Sequence, residues 1–351
     1  MTMDGRATLA PGYTISRLIK GGWQLAGGHG AVTRERALAD MSAFADAGID
    51  TFDCADIYTG VEALIGDFLR TRRSHAGAAS APSIRVHTKC VPDLGALDTL
   101  AREDVERLVD RSRDRLGVDL LDLVQLHWWD YARGDVAAAA GHLEALRREG
   151  KIRHIGATNF DTAHLRALLD AGIPVISHQV QYSLLDRRPA SEMTTLCRER
   201  GVSLLAYGAL AGGFLSERWL GASDPGSAVE NRSLVKYRLV IEEFGGWPLF
   251  QELLAVLDTI ARRYAVRIGT VAIRWTLDRP AVAAAIVGAR HAGHLGDTLA
   301  ALSLRLTDDD RAAIAALLSR APGPRGDVYA LERDREGPHG RIMRYDLNAA
   351  R

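Results

Sequence analysis

The amino-acid sequence predicts an α/β protein built as a single (β/α)8 TIM barrel. Eight short β-like runs alternate with longer amphipathic runs along the 351-residue chain, as in a barrel of this class. Several helical runs close on a glycine shortly before the next strand, as at Gly117 and Gly201, and glycine takes the left-handed conformation of a helix end without steric cost. No GxGxxG motif follows the first strand, which argues against a doubly wound nucleotide-binding sheet.

Each strand candidate is a short run with β-branched and aliphatic residues. In chain order these runs are SRLIKGGW (16–23), IDTFDCA (49–55), IRVHTKC (84–90), LDLVQLHWW (121–129), IRHIGATNF (152–160), IPVISHQVQY (173–182), VSLLAYGAL (202–210) and VAAAIVGA (282–289). Helix candidates lie between them, because their apolar residues recur at the helical period. Examples are RERALADMSAFADAG (34–48), REDVERLVDRSRDRLG (102–117), VAAAAGHLEALRREG (136–150), DTAHLRALLDAG (161–172) and SEMTTLCRERG (191–201).

The predicted organisation is an N-terminal segment (1–15), a barrel domain (16–320) and a C-terminal tail (321–351). A small, polar stretch at 71–83 is predicted to be a surface loop. After LLAYGAL, about forty residues pass before the next clear helix, which predicts a long loop over 208–247 after the seventh strand. The tail is rich in charge, glycine and proline, and two alternatives stay open: it drapes over the barrel or it is unstructured.

Composition narrows the classes of partner. The 44 basic and 44 acidic residues balance and are mixed along the chain, which argues against nucleic acid or an anionic membrane as the main partner. The three cysteines are widely spaced and form no CxxC pair, so we expect neither a disulfide framework nor a metal site. The N-terminus lacks the apolar core of a signal peptide, and no run is long enough to span a bilayer. We therefore expect a soluble, cytoplasmic protein.

Polar residues lie at the ends of consecutive predicted strands. Because the C-terminal ends of all strands in a parallel barrel meet at one face, we expect these side chains to converge on one mouth. In chain order they are Asp53 and Tyr58, Lys89, His127, Thr158 and Asn159, Gln179, and Tyr207.

An acid, a phenol, an amine and an imidazole at one mouth suit proton transfer to an oxyanion. A free tyrosine, with a pKa near ~10, donates protons poorly at neutral pH. A neighbouring Lys89 ammonium would lower the pKa of Tyr58 and make it a general acid, and Asp53 would keep Lys89 charged and oriented. His127 would hydrogen-bond and polarise a carbonyl oxygen. No side chain supplies a hydride, so carbonyl reduction would need a cofactor.

The motifs that carry these four residues resemble the catalytic tetrad of the aldo-keto reductase superfamily. Asp53 and Tyr58 stand in FDCADIYTGVEALIG, Lys89 in VHTKC and His127 in DLVQLHWW. The motifs GKIRHIGATNF, HQVQY, LLAYGALAGGFL and AIVGAR then follow in the order typical of the family, so the resemblance spans roughly residues 16–320. It implies a nicotinamide-dependent oxidoreductase that interconverts carbonyls and alcohols.

The resemblance also implies the residues that hold the cofactor. Thr158, Asn159 and Gln179 would bind the nicotinamide carboxamide, and Tyr207 would stack on the nicotinamide ring. The segment 208–247 would cross the cofactor as a strap. Backbone amides of the loop after the seventh strand would cradle the pyrophosphate, and residues after the first strand would line the mouth; these sets are Gly208, Leu210, Gly212 and Gly213, and Gly22 and Trp23.

The sequence departs from the family pattern where the adenosine 2′-phosphate would bind. Gly288 and Arg290 end the eighth-strand motif, and His294, Asp297 and Thr298 stand where the family often has a basic residue and a terminal amide. Because one arginine can bind a phosphate in a bidentate manner, we expect NADP(H) as the favoured cofactor, with NAD(H) as the alternative.

Several of these residues also have a structural interpretation. Asp53 could cap a loop, Tyr58 could pack in the core, and Lys89 could be solvated. Either Thr158–Asn159 or Asp161 could cap the next helix. In the same way, Gln181 would face the same side of its strand as Gln179, and Tyr207 could be core. We favour the functional interpretation because the four catalytic candidates lie at equivalent strand ends.

The predicted substrate is a small carbonyl compound, in a pocket formed by Trp23, Tyr58, His127, Trp128 and Trp129. Aryl and aliphatic aldehydes, sugars and pyridoxal all remain open, as do the direction of the reaction and the choice between monomer and homo-oligomer. One alternative function is a nucleotide-binding redox sensor of the same fold with little turnover. A metal-dependent barrel hydrolase is disfavoured, because no His-x-His or carboxylate cluster stands at the predicted strand ends.

Overall fold

A computed structural model describes residues 5–27, 30, 32–76, 83–226, 228–288 and 291–348. Eight parallel strands close into a barrel in chain order, with the last strand beside the first, which confirms the predicted fold class. All eight predicted strands are present. They are β3 (Leu18–Gly21), β4 (Thr51–Asp53), β5 (Arg85–Cys90), β6 (Leu121–Leu126), β7 (Ile152–Thr158), β8 (Val175–Gln181), β9 (Ser203–Tyr207) and β10 (Val282–Gly288).

Helices surround the barrel and alternate with its strands. Gly117 and Gly201, with φ of 64° and 68°, form left-handed helix ends after α3 and α6, as the sequence pattern predicts. The helices are α1 (Arg34–Asp46), α2 (Val61–Ala76), α3 (Arg102–Leu116), α4 (Val136–Arg148), α5 (Thr162–Asp170), α6 (Glu192–Arg200), α7 (Arg232–Phe244), α8 (Gly246–Arg263), α9 (Ile268–Leu277), α10 (Leu295–Ser303), α11 (Asp308–Leu318), α12 (Ala330–Arg333) and α13 (Pro338–Arg341).

A β-hairpin precedes the barrel within the predicted N-terminal segment. Its antiparallel strands are β1 (Arg6–Ala10) and β2 (Tyr13–Ser16). Leu9, Tyr13 and Ile15 are buried and pack in one apolar cluster with residues of the barrel strands, among them Ile19 and Leu205. The hairpin therefore contributes to the core, although strands of four and five residues gave no clear pattern in the sequence.

The segment after β9 is not a loop throughout, which corrects the prediction for 208–247. Helix α7 occupies part of it and begins where the side chain of Asn231 accepts a hydrogen bond from the amide of Leu234. Its buried face includes Tyr237 and Ile241. The sequence did not predict this helix because the polar stretch before it, ASDPGSAVENRS, resembles a loop. In addition, the apolar face of the helix is stabilised only by tertiary packing.

The C-terminal tail drapes over the barrel, so the structure decides between the two alternatives left open. Asp327 accepts a hydrogen bond from the Thr162 amide at 2.7 Å, at the start of α5. Further along the tail, the Asn348 amide donates to Asp93 at 2.8 Å, in the segment that follows β5. Tail residues therefore reach two different loops at the C-terminal face of the barrel. Within the described ranges, no helix is both long and apolar enough to cross a membrane.

Candidate active site

Lys89 and Asp53 form a buried ion pair at the C-terminal ends of β5 and β4. The Nζ of Lys89 lies 2.7 Å from Oδ2 of Asp53 and donates a second hydrogen bond, of 2.8 Å, to the carbonyl of Cys54. Both side chains are almost completely removed from solvent. Burial alone would lower the pKa of Lys89, but Asp53 and Tyr58 outweigh it and raise that pKa above its usual value. The lysine is therefore held as an ammonium ion.

Tyr58 lies beside this pair, on the loop between β4 and α2. The Nζ of Lys89 is 5.1 Å from the centroid of its ring. Burial raises the pKa of Tyr58 above its ordinary value, and Lys89 acts in the opposite direction without reversing the result. This corrects the expectation of a net lowered pKa. Tyr58 is therefore protonated at neutral pH, which is the form that a general acid requires.

His127 follows β6 and is buried as a neutral imidazole. Burial, followed by the positive charge of Arg333, lowers the pKa of His127 to about 3. Its Nδ1 lies 3.3 Å from the carbonyl oxygen of Thr158. A carbonyl only accepts hydrogen bonds, so this contact requires the N–H at Nδ1 and leaves Nε2 as an acceptor.

The orientation of His127 bears on its predicted role. For Nε2 to donate to a carbonyl oxygen, the single N–H must move to Nε2 and the contact with Thr158 must be given up. Because that hydrogen bond is long, at 3.3 Å, its loss costs about 1 kcal/mol or less. Within the described part of the chain, Nε2 of His127 is buried without a hydrogen-bond partner, so it is available to a bound molecule.

The predicted nicotinamide-binding residues lie together beside this group. Gln179, on β8, donates from Nε2 to Oδ1 of Asp53 at 2.6 Å. The hydroxyl of Tyr207 donates to Oδ1 of Asn159 at 2.9 Å, which leaves the amide N–H groups of Asn159 for another acceptor. Thr158 instead uses its hydroxyl hydrogen on the carbonyl of Gln179, at 3.2 Å. The polar side chains of Thr158, Asn159 and Gln179 and the aromatic ring of Tyr207 thus form a surface that suits a planar ring with a carboxamide group.

Two alternatives that the sequence left open are decided here. Asp161, rather than Thr158 or Asn159, caps α5, because its side chain accepts from the amide of His164. Of the two glutamines on β8, Gln181 bonds to Asp186 at 2.8 Å, whereas Gln179 bonds to the Asp53 carboxylate.

Two glycines of the loop after β9 pack closely against α7. Gly208 and Gly212 have positive φ, and an added Cβ at either would collide with Tyr237 of α7, at 2.3 and 2.8 Å. The amide of Gly213 donates to the carbonyl of Leu210 at 2.9 Å. The N–H of Gly213, which we predicted to bind the pyrophosphate, is therefore used within the turn. Leu210 and Gly212 remain as the predicted donors.

Glycines also shape the other side of the mouth. A Cβ on Gly22 would lie 2.9 Å from the carbonyl oxygen of Asp53, and one on Gly288 would lie 2.0 Å from Nε2 of Gln24. Trp23 follows Gly22, and its ring centroid is 5.1 Å from that of Tyr58. The rings of Trp23 and Tyr58 are therefore in contact.

The predicted 2′-phosphate contacts are only partly visible. Arg290 lies outside the described residues. His294 has a highly exposed side chain and immediately precedes α10, with Asp297 at 3.9 Å from its Nδ1. Thr298 is buried and donates its hydroxyl hydrogen to the carbonyl of His294 at 2.9 Å. His294 is accessible to a ligand, whereas Thr298 is used within the helix.

Of the two tryptophans after His127, only Trp129 flanks the site. Its ring meets that of His127 edge to face, with centroids 4.2 Å apart. The indole N–H of Trp128 donates to the carbonyls of Asp130 and Arg133, and the side chain is buried. Trp128 therefore stabilises its own loop, and the prediction that it lines the substrate pocket was wrong.

The structure adds residues to the site that we did not predict. Gln125 on β6 donates to Asp53 at 3.2 Å. The tail brings Tyr329 to within 5.5 Å of the His127 ring, centroid to centroid, and Arg333 to the carbonyl of Asn159 at 2.8 Å. The period of two along β6 places Gln125 on the same face as His127, so a signal for it existed. The tail residues carry no such local signal.

A buried ion cluster fixes the tail beside α7. Arg188 pairs with Asp186 at 2.7 Å and with Glu332 of the tail at 3.0 Å. Lys236 of α7 lies 3.8 Å from Glu332 and 5.1 Å from the centroid of the Tyr207 ring. The tail, α7 and the wall around Tyr207 are therefore connected through charged groups.

Comparisons with known proteins agree with this architecture. The model of the aldo/keto reductase family matches residues 17–319. The NADH-specific methylglyoxal reductase of Escherichia coli is 28% identical over 324 residues, or 85% of this chain and 93% of the relative. Flagellar radial spoke protein 5 of Chlamydomonas reinhardtii is 31% identical over 262 residues, which are 64% of this chain and 49% of the relative, so the chain spans about half of that protein.

A third relative and one solved structure complete the comparison. Chloroplastic pyridoxal reductase of Arabidopsis thaliana is 28% identical over 288 residues, which cover 78% of this chain and 74% of the relative. The structure of a glycerol dehydrogenase from Gluconobacter oxydans superposes with a TM-score of 0.77 and covers 93% of this chain and 98% of that one, at 22% identity. At that identity the likeness establishes the fold.

Proposed function

The chain belongs to the aldo/keto reductase family, and from this premise we propose that it reduces an aldehyde or ketone to an alcohol, reversibly, with NAD(P)H. The proposed general acid is Tyr58, assisted by Lys89, Asp53 and His127. The observation that carries the proposal is the buried Lys89–Asp53 pair, 2.7 Å apart, with its ammonium 5.1 Å from the Tyr58 ring centroid. That arrangement suits the protonation of an alkoxide and offers no activated acyl nucleophile.

The residues divide the work of the reaction. When bound, a reduced nicotinamide supplies the hydride for the carbonyl carbon. Tyr58 donates its phenolic proton to the oxygen on which negative charge develops. The Lys89 ammonium stabilises the resulting phenolate, and Asp53 keeps the ammonium in place through its 2.7 Å hydrogen bond.

His127 would orient the reacting oxygen from the other side. Its neutral ring carries one N–H, and moving this hydrogen to Nε2 gives a donor for the carbonyl oxygen at the cost of the long contact with Thr158. Because the pKa of His127 is lowered to about 3, the ring stays neutral throughout the physiological range and does not compete with Tyr58 as the acid.

The cofactor would be held between the strand ends and the loop after β9. Gln179, Asn159 and Thr158 are proposed to face the nicotinamide carboxamide, with Tyr207 against the ring. We propose NADP(H) as the preferred cofactor, on the strength of Arg290 and the exposed His294 at the start of α10. NAD(H) is the alternative, because Asp297 lies near His294 and one relative is named as NADH-specific.

The proposed substrate is a small carbonyl compound with a flat or apolar body. Trp23 contacts the ring of Tyr58, and Trp129 and Tyr329 contact the ring of His127, so aromatic surface is available on both sides of the proposed site. The relatives named as methylglyoxal reductase and pyridoxal reductase are consistent with a reactive aldehyde of modest size.

The test begins with cofactor binding and continues with turnover. We would titrate NADPH and NADH by quenching of tryptophan fluorescence, then follow loss of the reduced-nicotinamide absorbance across a panel of aldehydes and ketones. Repeated turnover supports the enzyme. Oxidation of a single equivalent of cofactor without further turnover would instead support the redox-sensing alternative.

A further inference from the structure

Gln125 joins the catalytic pair to the glutamine proposed to bind nicotinamide. The side chain is completely buried in the barrel interior. Its Nε2 donates to Oδ1 of Asp53 at 3.2 Å, and its Oε1 accepts from Nε2 of Gln179 at 3.2 Å. Gln125 therefore links Asp53 to Gln179, because it donates a hydrogen bond to the first and accepts one from the second.

The barrel geometry explains how these three side chains meet. Asp53, Gln125 and Gln179 stand on β4, β6 and β8, and side chains from alternate strands form one layer inside such a barrel. Gly156 on β7 pairs with Gln125 in the strand register and lies between β6 and β8. A Cβ there would lie 3.0 Å from Cγ of Gln125, so the missing side chain of Gly156 makes room for the contact with Gln179.

The carboxylate fixes the orientation of both amides. Asp53, paired with Lys89, only accepts hydrogen bonds, so Gln125 and Gln179 must each turn an N–H towards it. Gln179 then uses its second N–H on Gln125. Both N–H groups of Gln179 are thereby occupied, and its carbonyl oxygen remains as an acceptor, which matches the N–H of a primary carboxamide.

We propose that Gln125 is a positioning residue that holds Asp53 against Lys89 and turns the carbonyl oxygen of Gln179 towards the nicotinamide carboxamide. The proposal rests on the function proposed above. It assigns Gln125 no contact with reacting atoms, because the residue acts through Asp53 and Gln179. Its two hydrogen bonds give two separate consequences, one for catalysis and one for cofactor affinity.

The first variant removes both hydrogen bonds while conserving volume. In Gln125→Met we expect kcat for carbonyl reduction to fall about tenfold and NADPH affinity to weaken several-fold, the effect of losing a buried hydrogen bond on each side. Thr276→Val is the matched control, because Thr276 is equally buried and its hydroxyl hydrogen bonds to the Ala272 carbonyl within α9, away from the site. It should change neither quantity by more than about twofold.

The second variant separates the two consequences. Gln125→Glu keeps an oxygen that accepts from Gln179 but replaces the N–H that faces Asp53. Burial beside Asp53 raises the pKa of the introduced carboxyl, so while protonated it donates to Asp53 and kcat should stay near the parental value. At alkaline pH, where this carboxyl ionises, we expect NADPH affinity close to that of the parent and a kcat lowered about tenfold. Thermal melting of all variants shows whether each one folds, and Gln125→Glu tests the proposal even if Gln125→Met does not.

A pH profile provides a readout that a purely structural role would not move. With one donor lost, the charge of Asp53 acts more strongly on Tyr58 and raises its pKa, so the alkaline rise of alcohol oxidation should shift to higher pH in Gln125→Met. Tyr58 interacts electrostatically with groups from β4 and the residue after it, from β5, from α7 and from the tail; these are Asp53, Cys54, Lys89, Tyr237 and Tyr329.

The outcomes distinguish this inference from the function on which it rests. Parental kcat, affinity and pH profile in folded Gln125→Met would overturn the positioning role, and so would equal losses in Thr276→Val. If the parent turns over no carbonyl compound, the proposed function fails, while NADPH titration of the three variants still decides whether Gln125 orients Gln179.

Discussion

Replacing Tyr58 with phenylalanine tests whether the reaction needs the phenolic proton that the proposed mechanism assigns to Tyr58. The change removes one hydroxyl and keeps the ring against Trp23, whose centroid is 5.1 Å away. Lys89 retains its hydrogen bonds of 2.7 and 2.8 Å to Asp53 and the Cys54 carbonyl, so no buried charge is left without a partner. The fold should therefore lose only about 1 kcal/mol, the value of one hydrogen bond.

The catalytic cost should be much larger than the cost in stability. A positioned general acid contributes about 10²–10⁴-fold to a rate, which corresponds to about 2.7–5.4 kcal/mol of activation free energy. The raised pKa of Tyr58 means that the wild-type phenol is protonated at neutral pH, so the whole population loses its acid on substitution. Cofactor affinity should stay within about twofold, because the proposed carboxamide and phosphate contacts are untouched.

The assay measures kcat with a carbonyl substrate and the dissociation constant for NADPH on the same preparations. Tyr264→Phe is the matched control, since its hydroxyl bonds Asp310 at 2.6 Å on the outer helices. It should keep the parental kcat. The reasoning is refuted if Tyr58→Phe retains more than about a tenth of the parental kcat, or if its loss of activity is explained by loss of cofactor binding.

Three further predictions follow from charge. Arg290→Ala should weaken NADPH at least tenfold more than NADH in fluorescence titrations, because only NADPH carries the 2′-phosphate; equal weakening of both would remove the argument for NADP(H). Alcohol oxidation needs deprotonated Tyr58, whose pKa is raised, so its rate should climb with pH beyond the usual tyrosine value near ~10, whereas carbonyl reduction stays flat through neutrality; a plateau of oxidation near neutral pH would contradict this. Burial would raise the pKa of Glu332, but Arg188 and Lys236 lower it to about 2, so Glu332→Gln should destabilise the fold by about 3–5 kcal/mol and make the tail more sensitive to protease; an unchanged melting temperature and digestion pattern would count against a tail held by this cluster.

The sequence alone predicted the barrel, and it named Asp53, Tyr58, Lys89 and His127 as the candidate catalytic residues. Barrel strands are short apolar runs, and the helices between them have a clear period, so both are local properties of the chain. The rule that parallel strands end at one face then brings Asp53, Lys89 and His127 together without any knowledge of distances. The same rule placed Gln179 and Tyr207 on the proposed cofactor side.

Features that depend on distant contacts were outside the reach of sequence patterns. The polar stretch before α7 hid that helix, because its apolar face is defined by packing on the loop after β9. Trp128 looked like a pocket wall in the sequence, yet its indole N–H is used by its own loop. The alternation of side chains along β6 points Gln125 into the barrel interior, and this much can be read from the sequence. Its proposed role, however, depends on Gly156 and on two other strands.

The sequence by itself determined that Asp53, Lys89 and His127 stand at the C-terminal ends of neighbouring strands, since that follows from strand order. Only the tertiary structure decided their protonation and surroundings. The net rise in the pKa of Tyr58 reflects burial by many surrounding residues, which outweighs the one neighbouring ammonium. The placement of the tail over His127 depends in the same way on Glu332 meeting Arg188, 144 positions away in the chain. The pKa of Tyr58 and the position of the tail both depend on many contacts between segments that are remote in the chain, and no local sequence pattern specifies such contacts.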